Sequence, residues 1–379
     1  MLKRLALIAL PLALVCGLLE VVLRTAHPFG ARVSWTEPDR EIGWRFTPGR
    51  EYWFFGENDH AITGRINAMG WRDRERSVRK PPRTRRIAVV GDSYVEAFQV
   101  ESDRTFVARA EDAYRSMHWP ENDAVEVMNF GRSGMSPAEE SIVLERDVFP
   151  CGPDQVLLLF TPHNDIADVN PATAADACRP FFHRVRGDSL VADSSFAGRR
   201  DFRLREAISP IKQHSALVSL VTERYNAWRF ARAQRRVEGA APALTREQRM
   251  CTAHPDSVFV ANYALCKLLI ARMARECKAR GIRFTLASVP LVYEDDAVAR
   301  LRVADSSFDP GFFDRDLAAL ADSSGFGFIP MTAEFAARSR SGGKLQWQHW
   351  NYAGHEAAFE VLLFPGPRPP DPGDRSQAH

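Results

Sequence analysis

The chain has 379 residues, 45% apolar and 26% charged, which suits one large α/β domain with insertions or two small domains. Lysine plus arginine number 50 against 48 aspartate plus glutamate, a net charge of +2, so no strongly basic domain points to nucleic acid. Six cysteines occur without a C-x-x-C pair, which argues against a zinc site.

In chain order, "MLKR" is followed by "LALIALPLALVCGLLEVVLR", an apolar stretch broken only by Glu20. A bilayer-spanning helix needs about 20 such residues. No A-x-A-like site closes the stretch, so residues 1–25 read as an uncleaved signal anchor rather than a secretory signal. Lys3 and Arg4 favour a cytoplasmic N-terminus and put the rest of the chain outside the inner membrane, which is the periplasm if the cell is a Gram-negative bacterium. Cys16 follows Leu14 and Val15, not the small residues that a lipid anchor would require.

Residues 26–85 form an extension rich in glycine, arginine and aromatics, and "IGWRFTPGREYWFF" reads as short strands and turns. The basic run "RERSVRKPPRTRR" at 74–86 reads as a solvated linker rather than an anion site. From residue 86 to 364 short apolar runs recur: "RIAVVG", "VEVMNFG", "QVLLLFTP", "IRFTLASVP" and "GFGFIPM". They are continuous rather than alternating, as strands buried on both faces are. Helical patterns separate them, among them "SPAEESIVLERDVF", which opens on a capping box with Pro137 at the first helical position. A second, "SVFVANYALCKLLIARMARECKARG", ends at Gly281. The alternation predicts an α/β fold with a doubly wound parallel sheet, and the apolar N-terminal stretch adds a transmembrane helix. Residues 166–255 interrupt the rhythm as an insertion, with a hairpin turning at Gly187-Asp188 and a long helix from Ser215, and are placed over the substrate cleft. Residues 365–379 read as a disordered tail.

With Cys16 in the membrane, five cysteines are left, so at least one stays unpaired. Cys266 and Cys277 share a helix about 16 Å apart, too far to bridge. A Cys151–Cys178 disulfide is permitted in an oxidising compartment.

Ligands of an open parallel sheet bind beyond the carboxyl ends of its strands. The residues there are Asp92 and Ser93, then Ser133 and Gly134, then His163, Asn164 and Asp165, with His349 on the last connection before the C-terminal helix. Ser93, Gly134, Asn164 and His349 make an acyl-transfer set of nucleophile, two oxyanion donors and base. Each has a structural reading too. Ser93 with Glu96 is a possible capping box, Gly134 a left-handed turn, Asn164 a helix cap, and His349 a ring packed between Trp347 and Trp350. His355 reads as a packing or capping residue, and the two tryptophans suit either a sugar subsite or the core.

These residues lie in blocks that resemble the SGNH/GDSL hydrolases. "GDSY" at 91–94 resembles the first block, "NFGRSG" at 129–134 the second, "PHND" at 162–165 the third and "HWNYAGH" at 349–355 the last. Pro162 stands where the third block usually has glycine. "INAMGWRDRER" is similar to membrane-anchored bacterial members of the group. The resemblance implies a three-layer α/β/α sandwich with a central parallel sheet, and ester hydrolysis or acyl transfer by Ser93, with His349 as base and the Ser93 N–H, Gly134 N–H and Asn164 amide as oxyanion donors, without metal or cofactor. The expected activity is a serine esterase on O-acyl, chiefly O-acetyl, groups of carbohydrate or cell-envelope substrates. An envelope O-acyltransferase and a catalytically silent carbohydrate-binding protein are the alternatives.

One part is missing. The family carries an aspartate two or three residues before the histidine, and those positions here are Trp347 and Gln346. An amide oxygen of Gln346, a backbone carbonyl, or a distant acid such as Glu294, Asp295 or Asp296 could hold the ring instead. If Gln346 holds it, Gln346→Asp raises the rate.

Overall fold

The computed structural model describes residues 2–27, 32–117, 124–237, 244–290 and 295–363. The extension folds into two hairpins of four-residue strands, β1 (Thr36–Asp39) with β2 (Gly43–Phe46) and β3 (Glu51–Phe54) with β4 (Ile62–Arg65). Phe46, Tyr52, Ile62 and Ile66 bury themselves around Phe98, which lies just beyond Ser93 in the sequence, so this small core sits directly against the start of the main domain.

The main domain has a five-stranded sheet of β5 (Thr84–Gly91), β6 (Ala124–Gly131), β7 (Gln155–Phe160), β10 (Arg283–Ser288) and β11 (Gly327–Ile329). Its order is β6-β5-β7-β10-β11 and every pairing is parallel. Because side chains alternate along a strand, Ala88, Val90, Leu158 and Leu286 face one helical layer, whereas Val89, Val127, Leu157 and Ala287 face the other. The first layer contains helices Pro137–Val143, Ser257–Ala279 and Phe312–Ser324; the second contains Phe106–Arg115, Thr332–Arg340 and Tyr352–Ala358. Full burial of each Val, Leu or Phe contributes about 1.5–3 kcal/mol, which makes this two-sided core the rigid frame of the molecule. The three-layer α/β/α architecture follows the sequence pattern, and the capping box at Ser136 and Glu139 is formed.

In the insertion, β8 (Phe181–Arg184) and β9 (Leu190–Asp193) make a hairpin whose Gly187 adopts φ +55°. Helices Arg200–Lys212, Ala216–Val237 and Arg246–Met250 follow. The apolar N-terminal segment is a helix, Leu2–Ala26, with Leu10, Leu12, Leu14, Val15 and Leu18 exposed. Among the described residues one helix is long and apolar enough to cross a membrane, Ser257–Ala279 rather than the N-terminal one expected, and half of its apolar window is buried as a core helix.

Two expectations are corrected. The basic run at 74–86 is solvated only in its middle, at residues 77–79 and 81–83, because Arg74, Arg76 and Arg86 at its two ends are drawn into ion pairs. Arg76 is buried against Asp73 and Glu111, and Arg86, fully buried, meets Glu126 at 2.6 Å and the carbonyls of Ser77, Val78 and Cys151. Nor is there a Cys151–Cys178 bridge: all six cysteines are free thiols, and Cys151 donates instead to the Asp147 carbonyl at 3.2 Å. The tail at 365–379 and Glu294 lie outside the described residues.

Candidate active site

Strand β5 ends at Gly91 and the chain turns at once into a single helical turn, Ser93–Glu96. The cap of that turn is Asp92, whose Oδ1 accepts from the Tyr94 N–H at 3.0 Å, so the Ser93 hydroxyl is not spent on capping. The turn closes with Ala97 in the left-handed region (φ 59°). Arg72, from the extension, donates to the carbonyls of Glu96, Ala97 and Val100 and to the Tyr52 hydroxyl. A helix leaves its last carbonyls without internal partners, and here a buried guanidinium supplies them.

The Ser93 Oγ lies 2.8 Å from Nε2 of His349. The other ring nitrogen, Nδ1, lies 2.5 Å from Oε1 of Glu57 on the loop between β3 and β4. Oε2 of the same carboxylate accepts from the backbone N–H groups of Gln348 at 2.9 Å and His349 at 2.7 Å. Glu57 therefore fixes both the ring and the peptide that carries it. With Nδ1–H donating to the carboxylate, Nε2 is left as the acceptor for the serine proton.

The electrostatics agree with that assignment. Burial alone would lower His349, but its bond to Glu57 and the charges of Glu57, Asp92 and Glu96 outweigh burial and raise it above the ordinary 6.5. For Glu57 burial likewise pulls upward, and the bonds from His349 prevail, holding the carboxyl below its usual 4.5. The Tyr94 ring, 5.0 Å from the imidazole, walls off the side of the pair.

The acid is thus supplied by a residue that the sequence reading passed over. Both ring nitrogens are occupied, by Glu57 and Ser93, which leaves none for Gln346 or a backbone carbonyl. Gln346 instead bridges the backbone of Trp350. Nothing local singles out Glu57 within "FFGENDHA"; the one signal was the absence of an acid beside His349.

The second block forms the opposite lip. Gly131 lets β6 approach the nucleophile turn, since a Cβ there would lie 2.2 Å from the Glu96 nitrogen. Gly134 adopts φ +73° with open space where a Cβ would point. The N–H groups of Ser93 and Gly134 have no acceptor among the described residues, as oxyanion donors require. Asn164 lies on helix Pro162–Asp168, and its Nδ2 donates to Oδ2 of Asp92 at 2.7 Å, which ties the amide to the residue next to the nucleophile.

Three segments hold this lip. Glu96, on the nucleophile turn, accepts from the Ser133 N–H at 3.0 Å and from the Ser133 hydroxyl. Arg132 donates to the Trp44 carbonyl of the extension at 2.7 Å and lies over the Trp44 ring. Arg179, at the start of the insertion, donates to the Gly134 carbonyl at 2.5 Å and pairs with Glu139 and Asp168 at 2.7 Å each. Burial pushes Glu96 up to about 7, against the pull of its Ser133 bonds and of Arg72 and Arg132. Burial likewise pushes Arg132 down to about 10.

The remaining candidates separate cleanly. His355 is buried, stacked on Phe106 and edge-on to Trp350, and burial drives it down to about 3, a neutral core histidine. Trp350 is 1% exposed among Tyr94, Phe106 and Phe335. Trp347 is half-buried against Tyr352 beside the histidine. His163 stays at the surface with its ring against Tyr94, and Asp165 accepts from the Thr161 N–H at 2.7 Å. No group of three or more His, Cys, Asp or Glu among the described residues could hold a metal ion.

No family model and no curated protein matches the chain. Among solved structures it is similar to Axe2, an acetylxylan esterase from Geobacillus stearothermophilus, at 12% identity and a TM-score of 0.40 over 76% of this chain and 95% of that one. A catalytic mutant of the same esterase gives 14% and 0.39 over 74% and 92%. LAE5, an alpha/beta hydrolase from the metagenome of Lake Arreo, Spain, gives 15% and 0.37 over 76% and 95%. These likenesses are distant and bear on the fold alone.

Proposed function

We propose that the chain is a serine esterase that cleaves O-acyl esters through a Ser93–His349–Glu57 relay. The observation that carries this reading is the continuous path from Ser93 Oγ through both imidazole nitrogens to Glu57, at 2.8 and 2.5 Å. His349 Nε2 takes the serine proton as Oγ bonds to the ester carbonyl carbon, and the carbonyl electrons move to oxygen. In this reading the N–H groups of Ser93 and Gly134 and the second Nδ2 hydrogen of Asn164, whose first is given to Asp92, donate to that oxyanion, each donor worth about 100- to 1,000-fold in rate. The imidazolium then protonates the departing alkoxide, leaving an acyl-serine that water, deprotonated by His349, hydrolyses. Glu57 stays ionised and stabilises the imidazolium.

A sugar O-acetyl group is the ester class this site suits. Trp347 and Tyr352 stand half-buried beside His349, where an aromatic face can carry a carbohydrate ring. In this reading the apolar helix Leu2–Ala26, exposed at Leu10, Leu12, Leu14, Val15 and Leu18, anchors the protein in the inner membrane, with the domain on its outer side and within reach of envelope polysaccharide.

A fluorophosphonate probe tests the relay. Labelling of the wild type that disappears in Ser93→Ala and falls sharply in His349→Ala is the expected outcome. An unlabelled wild type would mean a cleft that binds without catalysis.

A further inference from the structure

We propose that helix Ala216–Val237 is a second membrane contact, lying in the bilayer interface with its aromatic face among anionic lipid headgroups. This rests on the reading of Leu2–Ala26 as the anchor, and not on the esterase chemistry.

The two helices are fastened where the anchor leaves the membrane. The Glu20 carboxylate accepts from the Ser215 hydroxyl at 2.8 Å and from the N–H groups of Ala216 at 2.8 Å and Leu217 at 3.0 Å. It therefore caps the first turn of the second helix from the last turns of the first. Arg24 donates to the His214 carbonyl, and Leu23 is buried against Ala216, Leu217 and Leu220. Beyond this joint Leu14, Val15 and Leu18 remain exposed, so the second helix does not run back along the first.

That second helix carries an aromatic and apolar face that is more than half exposed. Val221, Tyr225 and Trp228 are spaced four and three residues apart, hence on one face, and are 60%, 55% and 54% exposed. The Tyr225 and Trp228 rings stack at 6.0 Å, and the Arg232 guanidinium lies 5.4 Å above the Trp228 ring. Indole and phenol rings with arginine beside them are the composition of the headgroup layer, where the ring sits in the boundary and the charge reaches phosphate. The helix sequence contains Arg224, Arg229, Arg232, Arg235 and Arg236 against the single acid Glu223. Such a charge repels a second copy of this helix and attracts an anionic surface.

The test uses the full chain reconstituted in vesicles containing brominated phosphatidylcholine, with or without phosphatidylglycerol. Bromolipid is expected to quench the wild type more than Trp228→Phe, and the difference should widen with phosphatidylglycerol. Arg232→Gln should weaken the quenched population by about fivefold in affinity, as one basic residue near an anionic surface does. Equal quenching of the wild type and Trp228→Phe in both vesicle types would overturn the inference. Cys16, the one exposed cysteine, reports the anchor separately through a water-soluble maleimide. Protection of Cys16 with no Trp228 quenching leaves the anchor standing and removes the second contact. Labelling of Cys16 with Trp228 still quenched does the reverse, and labelling without quenching removes both.

Discussion

Ser93, Gly134 and Asn164 sit just beyond the carboxyl ends of β5, β6 and β7, whereas Glu57 sits on a hairpin loop outside the sheet. The first three are placed by a frame buried on both faces, and their positions follow from where the strands stop. The fourth is placed by the small hairpin core around Phe98 and by side-chain bonds: Arg72 to the nucleophile turn, Asn58 to the Tyr352 hydroxyl at 3.1 Å, and Glu57 to the His349 segment. The contrast separates what the two regions contribute. The sheet edge brings together the groups that would touch substrate, and the extension orders the base. A site of this kind can keep its nucleophile fully formed and still lose activity through a hairpin that never contacts the ester.

The largest expected effect breaks the extension's side of the pair. Glu57→Gln should lower kcat by about 10⁴-fold, the cost of replacing a triad carboxylate by its amide. Because Glu57 raises His349 and the base works when neutral, wild-type activity should climb with pH through a value above 6.5, and in Glu57→Gln that limb should move to lower pH. An unmoved limb in a pH–rate profile would mean that Glu57 does not govern the ring. On the sheet's side, Asn164→Ala should cost about 100- to 1,000-fold in kcat with little change in KM. A drop seen in KM alone would make Asn164 a substrate contact rather than an oxyanion donor.

Glu96 joins the two regions and gives a smaller effect, read in stability. A buried carboxyl raised from 4.5 to about 7 binds its proton more tightly folded than unfolded, so its contribution falls as pH rises across that window. Melting temperatures of Glu96→Gln should therefore decline less than those of the wild type between pH 5 and pH 8. The smallest effect is expected at Gln346. Since Nδ1 of His349 already meets Glu57, Gln346→Asp should leave the aryl-ester rate within about twofold of wild type, less than 1 kcal/mol. A clear gain would show that the hairpin leaves the ring under-supported.

What could be read in the sequence followed the same division. Continuous apolar runs announce strands buried on both faces, and strand ends announce where Ser93, Gly134 and Asn164 stand, because both are local patterns. The hairpin's carboxylate left no such pattern: its partner lies 292 residues away, and a glutamate in a Gly-Glu-Asn-Asp turn looks like any solvated loop acid. The same blindness extends to the ends of the run at 74–86, where Arg76 and Arg86 read as solvated until Glu111 and Glu126 arrive from other elements. Six residues apart, His349 and His355 differ only in what packs on them, and one is driven up while the other falls to about 3.

The long reach from Glu57 to His349 ties activity to biosynthesis. The hairpin leaves the ribosome long before the histidine, so a chain stopped short of residue 349 holds Ser93 without an imidazole. The proposed relay is complete only once His349 has emerged and folded back on the hairpin, and a fragment cut between the two is expected to be inert toward esters.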